Sequence, residues 1–422
     1  MKMTKKRLTI LIGAGAVIEP STELGKRVDT NTITSEILKN APNKSKQLLK
    51  TIYKDLCSSN KKYPEYKPTF EDLLHALEIL QGLYTKDISA PEYKPMYKYF
   101  TNIKSKYKKF NPYNDFPHKN FDDFGFALSL ATEHVIKTIQ ANIESYSDKN
   151  VIEWYKNFFI NLSNNFSLDI FNLNYDTWFE RIFKIYNDGF YNTQKDSQCL
   201  EFLPQKVLDS KYHVNINHLH GQLDFSPSPH SENAEKLYND YEFHTLYKIK
   251  STKNTKRLLL PSMSKRSTQA GEHLLPCSII TGKLKTEKIA HQPFDTYRTN
   301  FQNCIVKNPN LLIIGYGFND YYINSLFKQF YKIHKNNKRV NIIDYYTKDD
   351  WENYHIAPFN LYNDKLHTIF GLCGDLDIQE ISRNYRYAEH IPLDSNRFNL
   401  YFKGLKKTIS ENSKEIIASY NS

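Results

Sequence analysis

Leu8 to Ile12 (LTILI) is a short continuous apolar run that stops at a glycine, the pattern of a strand buried on both faces. Further buried-strand candidates are Leu168 to Leu173 (LDIFNL), Val214 to Leu219 (VNINHL), Leu311 to Ile314 (LLII) and Val340 to Ile343 (VNII), with His367 to Phe370 another. Between the first two the period changes from strand to helix. Phe70, Leu73, Leu74, Leu77 and Leu80 share one helical face behind an N-cap signature at Thr69 and Asp72. Phe124, Leu128, Ala131, Val135 and Ile139 predict a second amphipathic helix, and Ile152, Tyr155, Phe159 and Leu162 a third. After Asp176, the set Trp178, Phe179, Ile182, Phe183 and Tyr186 reads as a helix that follows a strand.

Strand–helix alternation around glycine turns predicts an α/β fold, a Rossmann-like doubly wound parallel sheet. Residues 29–150 then form a large helical insertion in one elaborated domain spanning 1–380. Residues 381–422 are expected to be a C-terminal helical extension, and Ser226 to Lys256 a surface excursion.

Composition refines this only slightly. With 422 residues, 40% hydrophobic and 24% charged, the chain has material for a large globular core. Its net charge is +11, but the lysines are scattered (Lys44 to Lys50, Lys104 to Lys109, Lys335 to Lys338), which reads as solvated surface rather than a nucleic-acid track. The five cysteines form no C-x-x-C pair, so no zinc ribbon or disulfide framework is expected, and a reducing cytoplasm fits. Lys2, Lys5, Lys6 and Arg7 ahead of Leu8 to Val17 imitate a signal peptide, yet the same residues make a buried strand and turn. No stretch reaches the roughly 20 apolar residues of a membrane span.

Candidate chemistry clusters where the predicted strands end. Gly13-Ala14-Gly15-Ala16 lets the backbone approach a pyrophosphate closely, although the third glycine of a dinucleotide fingerprint is replaced by Ile18 and a ligand-free tight turn fits as well. In Asn172-Leu173-Asn174-Tyr175-Asp176 an uncharged amide can hold a ribose hydroxyl or a water. Asp176 can brace the loop, or simply cap the next helix. His218-Leu219-His220-Gly221 offers a histidine as general base, or a structural one. Gly315-Tyr316-Gly317-Phe318-Asn319-Asp320 is a second glycine turn with polar groups, and Asp344 stands where an acid can bond adenosine hydroxyls.

Taken in order, the glycine turn, N-Y-D, H-G and G-Y-G-F-N-D resemble the motif series of the sirtuin-like superfamily, in its bacterial anti-phage defence branch. The resemblance runs in outline from Leu8 to about Gly371 and is specific around Asn174, His220 and Gly315. It implies one NAD pocket, with Asn174 and His220 catalytic and Asp176 beside them. It also implies nucleotide contacts from Gly13, Ala14, Gly15, Thr22, Tyr175, Gly315, Gly317, Asn319, Asp320 and Asp344. The loop and the zinc cysteines of protein deacetylases are missing, and no metal is expected.

The activity so implied is NAD+ hydrolysis to nicotinamide and ADP-ribose, depleting NAD+ on infection. The alternatives are an NAD-dependent protein deacylase or ADP-ribosyltransferase, and a non-catalytic nucleotide-sensing or scaffold subunit. Control by homo-oligomerisation, or by an ATPase or nucleic-acid-binding partner, is expected, with no membrane association.

Overall fold

The computed structural model describes residues 5–59, 67–84, 123–193, 199–226, 246–250, 279–281, 285, 289–346, 369, 388–393 and 397–421. In chain order the strands are β1 (Arg7–Ile12), β2 (Ser167–Asn172), β3 (Phe190–Tyr191), β4 (Cys199–Phe202), β5 (Val214–His218), β6 (Phe225–Ser226), β7 (Tyr247–Ile249), β8 (Asn310–Ile314), β9 (Arg339–Ile343), β10 (His390–Leu393) and β11 (Phe398–Tyr401). The helices are α1 (Ile18–Glu23), α2 (Thr30–Asn40), α3 (Asn43–Ser59), α4 (Phe70–Tyr84), α5 (Asp123–Ser147), α6 (Glu153–Asn165), α7 (Trp178–Ile182), α8 (Pro204–Leu208), α9 (Phe294–Lys307), α10 (Tyr321–His334) and α11 (Leu405–Asn421).

The chain divides into two compact units. The first comprises Met1–Arg27, Ser145–Gln222 and Gln292–Ser422, and the second Val28–Glu144 and Leu223–His291. The first is built on a seven-stranded sheet in the order β10-β11-β9-β8-β1-β2-β5. All neighbours are parallel except β10, which runs antiparallel to β11 at the edge. Counted in chain order, the six parallel strands run 3-2-1-4-5-6, the Rossmann-like order, with its switch point between β1 and β8.

Why these segments became strands follows from burial. Residues 8–12 of β1 and 168–172 of β2 are buried, as is all of β8, because helices cover both faces of the sheet. On one face, His218 meets Glu180 of α7 and Asn341 donates to Ser419 of α11. On the other, Phe171 packs on Phe301 of α9 at 4.7 Å between ring centroids, and Asn217 Oδ1 accepts from Asn300 of the same helix. At the amino edge, Arg7 pairs with buried Asp169 through two hydrogen bonds.

In the second unit α2, α3, α4 and most of α5 supply the helical insertion. Its second segment, beginning at Leu223, adds the antiparallel pair β6–β7. Thr69 donates to Asp72 Oδ2 through its amide and hydroxyl at the start of α4, the capping arrangement the sequence predicts. No helix among the described residues is long and apolar enough to cross a membrane.

Three expectations are corrected. Residues 381–422 are not a helical extension alone, because β10 and β11 complete the main sheet before α11 begins. Phe398 and Leu400 are fully buried, and β11 exists by pairing with β9, a partner far away in sequence. The insertion ends near Glu144 rather than 150, because Tyr146 and Ser147 bond the loop after β2. The helix after Asp176 stops at Ile182, with Phe183 extended, so Tyr186 lies beyond it. The candidate strand His367 to Phe370 lies outside the described residues except Ile369, which is helical.

Candidate functional site

Five parallel strands end in the five blocks singled out by sequence: β1 before Gly13, β2 at Asn172, β5 at His218, β8 before Gly315 and β9 before Asp344. All five therefore share the carboxyl edge of one sheet, where open α/β sheets bind ligands.

The two glycine turns meet at the switch point. Gly13 N donates to Ile314 O at 2.8 Å, Gly15 N to Gly315 O at 2.8 Å, and Ala16 N to Gly13 O at 3.0 Å. The backbones approach too closely for side chains. A Cβ on Gly13 would stand 2.5 Å from Gly315 O, and one on Gly315 would stand 2.2 Å from Ala16 N. Gly315 also has φ of +59°, in the left-handed region that favours glycine. The amides of Gly13 and Gly15 are spent on the neighbouring strand and turn, so these glycines serve turn-on-turn packing rather than offering those N–H groups to a phosphate. Ala14 is exposed and Gly15 half-buried, leaving the turn open to close approach by a ligand.

Above this junction sits Asn174, 7% exposed. Its Nδ2 donates to Gly13 O at 3.1 Å, and its own amide donates to Asn172 Oδ1 at 3.0 Å. With Nδ2 so occupied, the carbonyl oxygen of the side chain takes no hydrogen bond among the described residues. Asn172 is fully buried, and its Nδ2 likewise has no partner there. This role of Asn172 is not evident from the sequence alone. The Asn-x-Asn spacing was the available signal, since an Asn side chain commonly accepts from the amide two residues on.

Asp176 is buried beneath the loop. Its Oδ1 accepts from Trp178 N at 3.1 Å and its Oδ2 from the Tyr146 hydroxyl at 3.4 Å. Burial pushes the Asp176 carboxyl up to about 6. Both the brace and the helix-capping roles are thus visible in the geometry. Alongside it, His218 Nε2 lies 2.8 Å from Glu180 Oε1, a buried pair that the sequence did not reveal because Glu180 sits on α7.

His220 follows β5, and Gly221 with φ of +86° permits the turn that presents it. Its Nε2 is 3.5 Å from Asp320 Oδ2. Since β5 and β8 are three strand spacings apart, about 14 Å, their loops reach toward each other past the ends of β2 and β1. Asp320 also caps α10, its Oδ1 accepting from Tyr322 N and Ile323 N. The Tyr316 hydroxyl fixes that loop by accepting from Asp320 N and donating to Asn324 Oδ1.

Other predicted contacts scatter. Thr22 is exposed on α1 with its hydroxyl on Ile18 O, so that hydroxyl serves its own helix. Gly317 and Asn319 are exposed, and Tyr175 is half-buried. Asp344 is half-buried at the end of β9, with Oδ1 accepting from Tyr345 N. Among the described residues no group of three or more His, Cys, Asp or Glu is placed to hold a metal ion. No protein-family model matches the chain, and no curated protein matches it.

Proposed function

We propose that the chain hydrolyses NAD+ at the nicotinamide–ribose bond, as its resemblance to the sirtuin-like defence branch implies. The observation that carries this reading is the placement of an amide and an imidazole, Asn174 and His220, on adjacent loops at the carboxyl edge beside the switch point.

Nicotinamide leaves as a neutral base, taking the electron pair of the C–N bond and leaving positive charge on the ribose. The protein must orient the ribose and deliver water to one face. Asn174, held through Nδ2 on Gly13, would present its side-chain oxygen to the attacking water or to a ribose hydroxyl. His220 would take the proton as the new C–O bond forms, a contribution of roughly a hundred- to ten-thousandfold. Asp176 holds the loop from below. The Gly13–Gly15 turn would contribute close approach at Ala14 rather than the amides it has already used. In this reading NAD+ depletion is the protective act, and self-assembly or a partner protein restrains it in healthy cells.

The test is quantitation of nicotinamide and ADP-ribose released from NAD+ by the purified full chain, beside Asn174→Ala and His220→Ala. Equimolar products from the wild type alone are expected. ADP-ribose found on protein would favour a transferase. Absence of product together with no NAD+-dependent shift in melting temperature would overturn the proposal.

A further inference from the structure

We infer that Asp320 is the positioning residue of His220, and that the N-cap of α10 and the candidate base are one device. Sequence alone placed Asp320 among nucleotide contacts. The geometry turns both of its oxygens toward protein instead: Oδ1 accepts from Tyr322 N at 3.0 Å and Ile323 N at 3.2 Å, while Oδ2 stands at ion-pair range, 3.5 Å, from His220 Nε2. Both helix amides hold the carboxylate through Oδ1, and the backbone N–H of Asp320 donates to the Tyr316 hydroxyl. His220 is only 9% exposed, so a carboxylate at this range acts on the ring with little screening. The effect is to favour the ring proton on Nε2 and to set the ring's orientation, as a carboxylate does for a catalytic histidine elsewhere.

The loop that carries Asp320 is itself tightly fixed. Phe318 has φ of 55°, an uncommon conformation for a bulky residue, and its carbonyl accepts from Asn324 Nδ2 at 2.7 Å. Its buried ring lies 4.7 Å from that of Tyr316 and 6.1 Å from that of Phe327. Backbone strain of this kind persists only where the surroundings over-determine it, and here it delivers Asp320 to a fixed place.

The kinetic arm rests on the NAD+ cleavage reading; the spectroscopic arm does not. Asp320→Ser keeps a good N-cap and removes the carboxylate, and Asp320→Asn keeps the shape. With 15N-histidine-labelled full chain, and His220→Ala to identify the signal, the wild-type ring is expected as the Nε2–H tautomer. Asp320→Ser is expected to show a mixed tautomer population, and Asp320→Asn, whose Nδ2 would donate toward the ring, the Nδ1–H tautomer, both at a little-changed melting temperature. In the cleavage assay both should lose at least tenfold in kcat with KM little changed, and Asp320→Glu should recover part of that loss. An identical His220 tautomer in wild type and both variants would overturn the proposal, whatever the enzyme does. A changed tautomer in a chain that neither binds nor cleaves NAD+ would uphold the coupling and sink the hydrolase reading alone.

Discussion

Asn174 Nδ2 donates to the carbonyl of Gly13 across 3.1 Å, tying the loop after β2 to the turn after β1. The bond fixes which end of the amide faces the turn, and so which end is left to a ligand. Asn174→Ala should cost about 1 kcal/mol of stability, the worth of one hydrogen bond, while nicotinamide release falls about a hundredfold or more. Asn174→Asp should be as inactive, because it sets a carboxylate oxygen against the Gly13 carbonyl. Near-native turnover by either variant would remove Asn174 from the chemistry.

The glycines of the second turn are not equivalent. Gly315→Ala forces a Cβ to within 2.2 Å of Ala16 N at a positive φ, and should cost at least ~3 kcal/mol or leave the protein insoluble. At Gly317 the nearest atom is the end of the flexible Asn319 side chain at 3.4 Å, and φ is not positive. Gly317→Ala should therefore stay within about 1 kcal/mol of wild type. Urea denaturation of the pair reads the contrast directly, and equal midpoints would refute the packing argument.

Asp176 predicts a pH dependence. Burial raises its carboxyl from an ordinary 3.8 to about 6, so the folded protein holds that proton more tightly than the unfolded chain. Stability present at acid pH is therefore lost as pH rises between about 4 and 6, by at most roughly 3 kcal/mol. Asp176→Asn stays neutral and retains an oxygen for Trp178 N. Its stability relative to wild type should improve from pH 4.5 to pH 7.5, and a difference that is flat across that range would contradict the assignment.

Arg7 and Asp169 sit at the opposite edge of the sheet and serve as a control. Arg7→Ala leaves a 3%-exposed carboxylate supported by the Asn215 amide and the Cys304 thiol. Allowing for an Arg7 side chain that is 40% exposed, the loss should be about 2–3 kcal/mol. Cleavage kinetics should not change, since the pair lies at the amino ends of β1 and β2. A selective fall in kcat would show that the two edges are coupled.

The parallel core was legible because β1 and β8 are nearly continuous apolar runs, and because β2, β5 and β9 keep apolar residues around their buried polar ones, Asp169, Asn172, Asn215, Asn217, His218 and Asn341. β10 and β11 were not. HIPL carries a proline and FNLY an asparagine, and β11 is defined by its pairing with β9 rather than by its own residues. At the site, the sequence named each loop but not what the loops do to one another. That Gly13 needs to be glycine because of Gly315, or that His220 faces Asp320 a hundred residues on, follows from strand order. No local pattern encodes it.

Lys149 Nζ donates to Leu24 O at 2.6 Å, just before the chain leaves the sheet unit after Arg27 and just beyond its return at Ser145. Departure and return are thus latched at one place. The long excursion between them is in effect a graft on a scaffold that closes without it. Such a graft can be lengthened, exchanged or remodelled by evolution with no strand of the seven-stranded sheet thrown out of register.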